Sequence, residues 1–198
     1  MTPDPVRGFA FKRHLLDAID LERRVRRMAT EIVERERDLE ALMLVGIRTR
    51  GLPLAERLAD AIEAVEGRRP PVGALDITLY RDDLSVIGPQ PLVKGTDFPG
   101  PIEDRVIVLC DDVLYTGRTV RAALDELSDW GRPRAVRLAV LVDRGHRELP
   151  IQPDVVGKRI ETARSELIEV AFTSIDGEDS VRLLERRSTE PSAGDQPG

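Results

Sequence analysis

RVIVLCDDVLYTGRTVRAALDEL, residues 105–127, decides the fold. It begins with Val106, Ile107, Val108, Leu109 and Cys110, an apolar run with the length and β-branching of a strand buried on both faces. Asp111 and Asp112 follow at once. A short turn carries Val113, Leu114, Tyr115, Thr116, Gly117, Arg118 and Thr119, and then Val120, Ala123, Leu124 and Leu127 recur at helical spacing. The order is strand, acid pair, anion loop, helix, which is one unit of an α/β domain with a mostly parallel sheet.

The parts of this unit suit a phosphorylated sugar. A helix that starts out of a turn offers backbone N–H groups and the positive end of its dipole to an anion. Thr116 and Thr119 add hydroxyls, Gly117 allows close approach of the main chain, and Arg118 adds charge or faces solvent. Carboxylates beside an anion site repel the anion unless they meet sugar hydroxyls or a divalent cation. Asp111 and Asp112 therefore imply phosphate, ribose and Mg²⁺ together, although taken alone they would also suit a helix cap.

Similar units lie on either side. Residues 41–47 form an apolar run that leads into Arg48, Thr49, Arg50 and Gly51, a second candidate anion loop, and then into a helix with Leu54, Leu58, Ala61 and Val65 on its inner face. Residues 72–80 read as a strand, followed by Arg81, Asp82, Asp83 and a Pro- and Gly-rich stretch at 88–101, long enough to be a lid. Residues 135–142 are the last buried strand; they open into Asp143, Arg144, Gly145, His146 and Arg147, with the apolar pair Val155 and Val156 beyond. His146 has no carboxylate partner at a diagnostic spacing, so a structural role suits it as well as an acid–base one. Earlier, a helix starts at Asp17 or Asp20 with Leu21, Val25, Met28 and Ile32 inward. Segments 167–173 and 181–185 read as closing strands about the turn Asp176–Gly177.

These motifs resemble the type I phosphoribosyltransferases, whose strand, two acids and TG-containing loop bind 5-phosphoribosyl 1-diphosphate (PRPP). The similarity is closer to one branch. GIRTRG (46–51), LDITLYRDDL (75–84), DDVLYTGRT (111–119) and LAVLVDRGHRELP (138–150) resemble the PyrR family, bifunctional pyrimidine operon attenuators and uracil phosphoribosyltransferases, over about residues 15–185. The resemblance implies a type I phosphoribosyltransferase fold: a central mostly parallel sheet flanked by helices, with a small hood and a flexible loop. It implies that Asp111, Asp112 and Arg81 serve catalysis and that Thr49 and Arg50 meet the diphosphate. Val113, Leu114, Tyr115, Thr116, Gly117, Arg118 and Thr119 would hold the phosphoribosyl end. Val155 would pack on the pyrimidine, Val156 would offer main-chain hydrogen bonds and Arg144 would lie near the base. Mg²⁺ would enter with PRPP beside Asp111 and Asp112. Relatives that take 6-oxopurines usually carry an aspartate where Tyr115 stands, so a pyrimidine, uracil, is the implied base, with UMP or UTP as effector.

The same resemblance implies that a homodimer or higher oligomer binds the pyr mRNA leader. Arg23, Arg26, Arg27, Arg147 and Lys158 are its candidate RNA contacts; for the helix arginines an ordinary solvated face paired with Glu22, Glu31 and Glu34 is the alternative. Thr30 and Gln152 depart from the histidine and arginine often found in the family pattern, and residues 161–164, ETAR, depart from its usual proline- and serine-containing version.

Composition narrows the rest. The 198 residues carry a net charge of −6, which argues against a protein that coats nucleic acid indiscriminately, though not against a local basic face. Aromatic residues make up 4%, too few for a base-stacking platform. The apolar runs are short of a membrane span and the N-terminus lacks a signal-peptide core, so a cytoplasmic protein is expected. Cys110, the single cysteine, sits in an apolar strand and reads as core. One phosphoribosyltransferase domain at 12–187 is expected, with a loose leader at 1–11 and a disordered polar tail at 188–198.

Overall fold

The computed structural model describes residues 8–77 and 95–187. Arg81 and residues 88–94 of the predicted flexible loop lie outside the described residues, as does the tail at 188–198. The elements run β1 (Phe9–Leu16), α1 (Ala18–Arg35), β2 (Leu42–Ile47), α2 (Gly51–Glu66), β3 (Val72–Leu75), β4 (Val106–Leu114), α3 (Arg118–Trp130), β5 (Ala135–Asp143), β6 (Val155–Arg159), β7 (Glu166–Ala171), α4 (Thr173–Asp176) and β8 (Ser180–Arg186).

Five strands form a parallel sheet in the order β3-β2-β4-β5-β6. The apolar run in β4 is continuous because alternate residues feed opposite layers. Val106, Val108 and Cys110 join Leu42 and Leu44 in a core shared with α1 and α2, whereas Ile107 and Leu109 join Met43 and Val45 in a core under α3. A second sheet, antiparallel β1-β8-β7, forms the hood.

α1 begins at its Asp17 cap, whose side chain accepts from the Asp20 N–H at 2.8 Å, and it buries Leu21, Val25, Met28 and Ile32 as the periodicity predicts. α2 buries Leu54 and Leu58 as the spacing predicts, together with Gly51, Ala55, Ala59 and Ile62, and half-buried Ala61 packs on the same core; Val65, in the last turn, is 61% exposed.

Three more differences matter. The leader expected at 1–11 loses its last residues to β1, where Phe9, Ala10 and Phe11 pair with Arg186, Glu185 and Leu184. β4 runs through the acid pair to Leu114, because β5 continues beside it and pairs Asp111 with Val140 and Leu114 with Asp143. Val155 and Val156 open a fifth parallel strand, β6, so β5 is not the last strand of its sheet.

Candidate functional site

The carboxyl ends of parallel strands are where open α/β sheets bind ligands. Here the ends of β2 and β4 carry the loop 48–50, the acid pair and the loop 115–117, with the base loop 144–151 leaving β5 beside them.

Two glycines bring the first loop against the acids. A Cβ at Gly51 would stand 2.1 Å from the Cys110 carbonyl oxygen, and one at Gly46 would stand 2.3 Å from Leu52 Cα. Only a residue without a side chain lets the first turn of α2 lie on the backbone that carries Asp111. The Arg48–Thr49 peptide is cis. Thr49 is exposed and, with Arg48, Leu52, Ser174 and Ile175, lines a cleft of about 440 Å³ between α2 and α4. The Arg50 guanidinium is committed to the hood: Nε donates to the Val170 carbonyl at 2.6 Å and Nη2 to Asp176 at 2.9 Å.

Asp111 is buried and Asp112 half-buried, and Asp111 accepts the Asp112 backbone N–H at 3.0 Å. Withdrawal from water pushes the Asp111 carboxyl well above the usual carboxylate range, and the neighbouring Asp112 charge pushes it further. Burial also raises Asp112, although hydrogen bonding from Asp111 and the positive charge of Arg50 work against it. These are groups placed where a ligand rather than the protein must compensate their charge. Carboxylate oxygens are the hard donors Mg²⁺ prefers, and among the described residues no cluster of three or more His, Cys, Asp or Glu could hold an ion unaided. The donor set fits a metal that brings other oxygens with it.

The phosphate loop ends at Gly117, the cap of α3, in left-handed backbone at φ 94° and therefore suited to glycine. Thr116 anchors the loop: its carbonyl accepts the Glu148 N–H at 2.9 Å, and its hydroxyl oxygen accepts the Arg118 N–H at 3.4 Å. Arg118 forms an ion pair with Glu148 at 3.0 Å, and Thr119 is exposed in the first turn of the helix. Val113 pairs with Val142 in the sheet, and the carbonyl of buried Leu114 accepts the Arg144 N–H at 3.1 Å.

Tyr115 lies between two cationic or polar neighbours. The Arg144 guanidinium is 4.2 Å above its ring, and the His146 ring meets it edge-on at 5.6 Å. Arg144 is itself buried, donating to Thr162 Oγ1 at 3.0 Å and to the Ala163 carbonyl at 2.9 Å. Burial lowers its pKa from the ordinary guanidinium value. His146 shares a 2.6 Å hydrogen bond with the Thr162 carbonyl, which requires its ring N–H there and gives it a structural part. The residues 161–164 that depart from the family pattern thus brace the base loop.

Of the candidate RNA contacts, Arg23 and Arg26 are well exposed on α1, paired with Asp20 at 3.9 Å and Glu22 at 2.8 Å. The other three grip their own chain. The Arg147 side chain is 13% exposed and donates to Asp143 at 2.6 Å and to the carbonyls of Tyr115, Gly145 and Ile151. It ties the loop after β5 to the loop after β4, which charge alone in the sequence does not reveal. Lys158 Nζ donates to the Leu15 carbonyl at 3.0 Å, and Arg27 donates to the carbonyls of Val156 and Gly157 in β6. Val155 is buried in the core shared with α1 and α2, whereas half-buried Val156 packs against the core under α3.

Comparison with known proteins agrees with this layout. A phosphoribosyl transferase domain model matches residues 13–173. The bifunctional protein PyrR of Thermus thermophilus is 57% identical over 176 residues, covering 89% of this chain and 97% of that protein. That of Clostridioides difficile is 53% identical over 174 residues, covering 88% and 98%. Among solved structures, the hypoxanthine phosphoribosyltransferase of Trypanosoma cruzi superimposes with a TM-score of 0.67 over 89% of this chain and 98% of that one, at 16% identity, a likeness of fold alone. With a matching domain model and these identities over most of its length, the chain belongs to the PyrR family of phosphoribosyl transferases.

Proposed function

We propose that the chain is a uracil phosphoribosyltransferase, converting uracil and PRPP to UMP and diphosphate, and a UMP- or UTP-responsive regulator that binds a pyrimidine mRNA leader. The observation that carries the enzymatic half is the buried acid pair of β4 set between two glycine-dependent loops at the carboxyl edge of the sheet. It supports a ligand with hydroxyls at one point and phosphates at two others. The bifunctional relatives support the regulatory half.

In this reading Thr116, Gly117, Arg118 and Thr119 receive the 5-phosphate by main chain and hydroxyl, and Asp111 and Asp112 accept hydrogen bonds from the ribose hydroxyls. Thr49 takes the diphosphate by its place in the loop beside α2, while Arg50 braces that loop from the hood. Arg81 is proposed as a further diphosphate contact. Mg²⁺, held between the ligand and the acid pair, would neutralise charge developing on the leaving group. The protein contributes mainly position: base and ribose C1 are held in line, and water is kept from an oxocarbenium-like centre. Val156 reads the base edge, Val155 backs that stretch of β6 from the core, and the Arg144–Tyr115 stack walls the pocket. Tyr115 presents a phenol, not a carboxylate, where a purine ring nitrogen would meet a carboxylate acceptor, which favours a pyrimidine.

The protein is further proposed to work in the cytoplasm as a homodimer or higher oligomer, which would place two α1 faces together. Among the described residues no helix is long and apolar enough to cross a membrane.

The test is UMP formation from uracil, PRPP and Mg²⁺, with hypoxanthine and guanine as alternative bases and Asp112→Asn as control. Turnover of uracil alone, lost in the variant, is the expected result; purine turnover with uracil ignored overturns the choice of base. A leader-RNA gel shift with and without UMP tests the second activity, and no specific shift at micromolar protein removes it.

A further inference from the structure

We propose that Arg27 is a positioning residue for the base: from α1 it holds the main chain of β6 in the orientation that reads the pyrimidine edge. The inference rests on the assignment of Val156 to base binding. Among the described residues β6 is the outermost strand of its sheet and pairs with β5 alone, so no second strand ladder fixes its peptide planes. Arg27 adds a constraint from α1. Its Nη2 donates to the Gly157 carbonyl at 2.9 Å and to the Val156 carbonyl, while its Nη1 is held by Glu31 at 3.2 Å. One guanidinium nitrogen shared between two successive carbonyls, with the other held by Glu31, constrains both peptides at once.

The consequence follows from peptide geometry. The C=O and N–H of one peptide unit point in opposite directions, so fixing the carbonyls of Val156 and Gly157 also fixes the N–H directions of Gly157 and Lys158. Uracil presents an alternating edge of carbonyl, N–H and carbonyl, and a main chain can match it only if its own donors and acceptors are held in register. A carbonyl has two lone pairs, so acceptance from Arg27 leaves one for the base. Close packing makes the reach possible: a Cβ at Gly157 would stand 2.5 Å from the Leu141 carbonyl oxygen and 3.0 Å from Met28 Sδ, which places α1 directly on the strand. Arg26, one residue earlier, pairs with Glu22 on its own helix and serves as the control.

Steady-state kinetics for both substrates, with calorimetric titration of UMP, should be measured on wild type, Arg27→Ala, Arg27→Lys and Arg26→Ala, each with a thermal melt. Arg27→Ala is expected to raise the uracil KM and weaken UMP binding about tenfold while leaving the PRPP KM within about twofold. Arg27→Lys should recover part of the loss, since an ammonium can hold one carbonyl, and Arg26→Ala should match wild type. Uracil KM and UMP affinity unchanged in Arg27→Ala, or uracil and PRPP KM rising together, overturns the inference. Should Arg27→Ala not fold, the same two outcomes are read from Arg27→Lys against wild type. A wild type that neither forms nor binds UMP removes the underlying assignment instead, so the two failures are told apart.

Discussion

Asp111 and Asp112 set stability against function. Each carboxyl is raised by burial, so the folded chain holds its proton more tightly than the unfolded chain does. The sign follows: their contribution to stability is most favourable in acid and declines as pH rises from the ordinary carboxylate range towards their folded values. Asp111→Asn keeps the oxygen that accepts the Asp112 N–H and removes the buried charge. It is expected to raise the melting temperature at neutral pH by a few degrees and to flatten its fall with pH, while lowering turnover about a hundredfold; melts across pH and a UMP assay check both. Arg147 behaves in the opposite sense. Its removal leaves the Asp143 carboxylate buried, with the Gly145 N–H at 3.0 Å and Arg159 3.8 Å away. Arg147→Ala should cost about 3 kcal/mol in urea unfolding. A variant of wild-type stability that loses only RNA affinity would overturn the bracing role and favour Arg147 as an RNA contact. The bracing contacts are not legible in the sequence, because a charge there does not disclose whether carbonyls wait for it.

The elements differ in how plainly the sequence announces them. β2, β4 and β5 are buried on both faces and are legible as unbroken apolar runs. β6 is not, because Val155 and Val156 are followed by Gly157, Lys158 and Arg159, an edge composition with too short an apolar signal. β1 hides for a similar reason, since Phe11, Lys12, Arg13 and His14 are all exposed on the hood. In α2 hydrophobic spacing finds Leu54 and Leu58, but not the close backbone packing at Gly51 that sets where the helix begins. Gly51→Ala tests this at the right scale: the added methyl meets the Cys110 carbonyl, so about 1–3 kcal/mol of stability should be lost and activity should fall with it. Wild-type melting and turnover would show that α2 can shift freely. On α1, the Arg23→Ala, Arg26→Ala double variant should weaken leader-RNA binding equally across sequences and reduce its salt slope by about 1 for each phosphate no longer neutralised, with uracil kinetics unchanged.

For the molecule as a whole, the architecture and the family are readable because four separated motifs resemble one family, three of which, at 46–51, 111–119 and 138–150, meet at one sheet edge. The remainder lies in contacts between segments far apart in sequence. The hood joins β1 to β8 across nearly the whole length of the chain, Arg50 clamps that hood to the loop beside the acid pair, and Arg27 clamps α1 to β6. No local pattern announces such pairings. The central claim is that a sugar diphosphate lies across the strand ends, its hydroxyls on Asp111 and Asp112 and its 5-phosphate at the start of α3. Calorimetric titration of PRPP with Mg²⁺ tests it most directly. The account predicts saturable uptake of one PRPP per chain, abolished in the Asp111→Asn, Asp112→Asn double variant although that variant stays folded. No heat of binding by the wild type, or undiminished binding by the double variant, would contradict it.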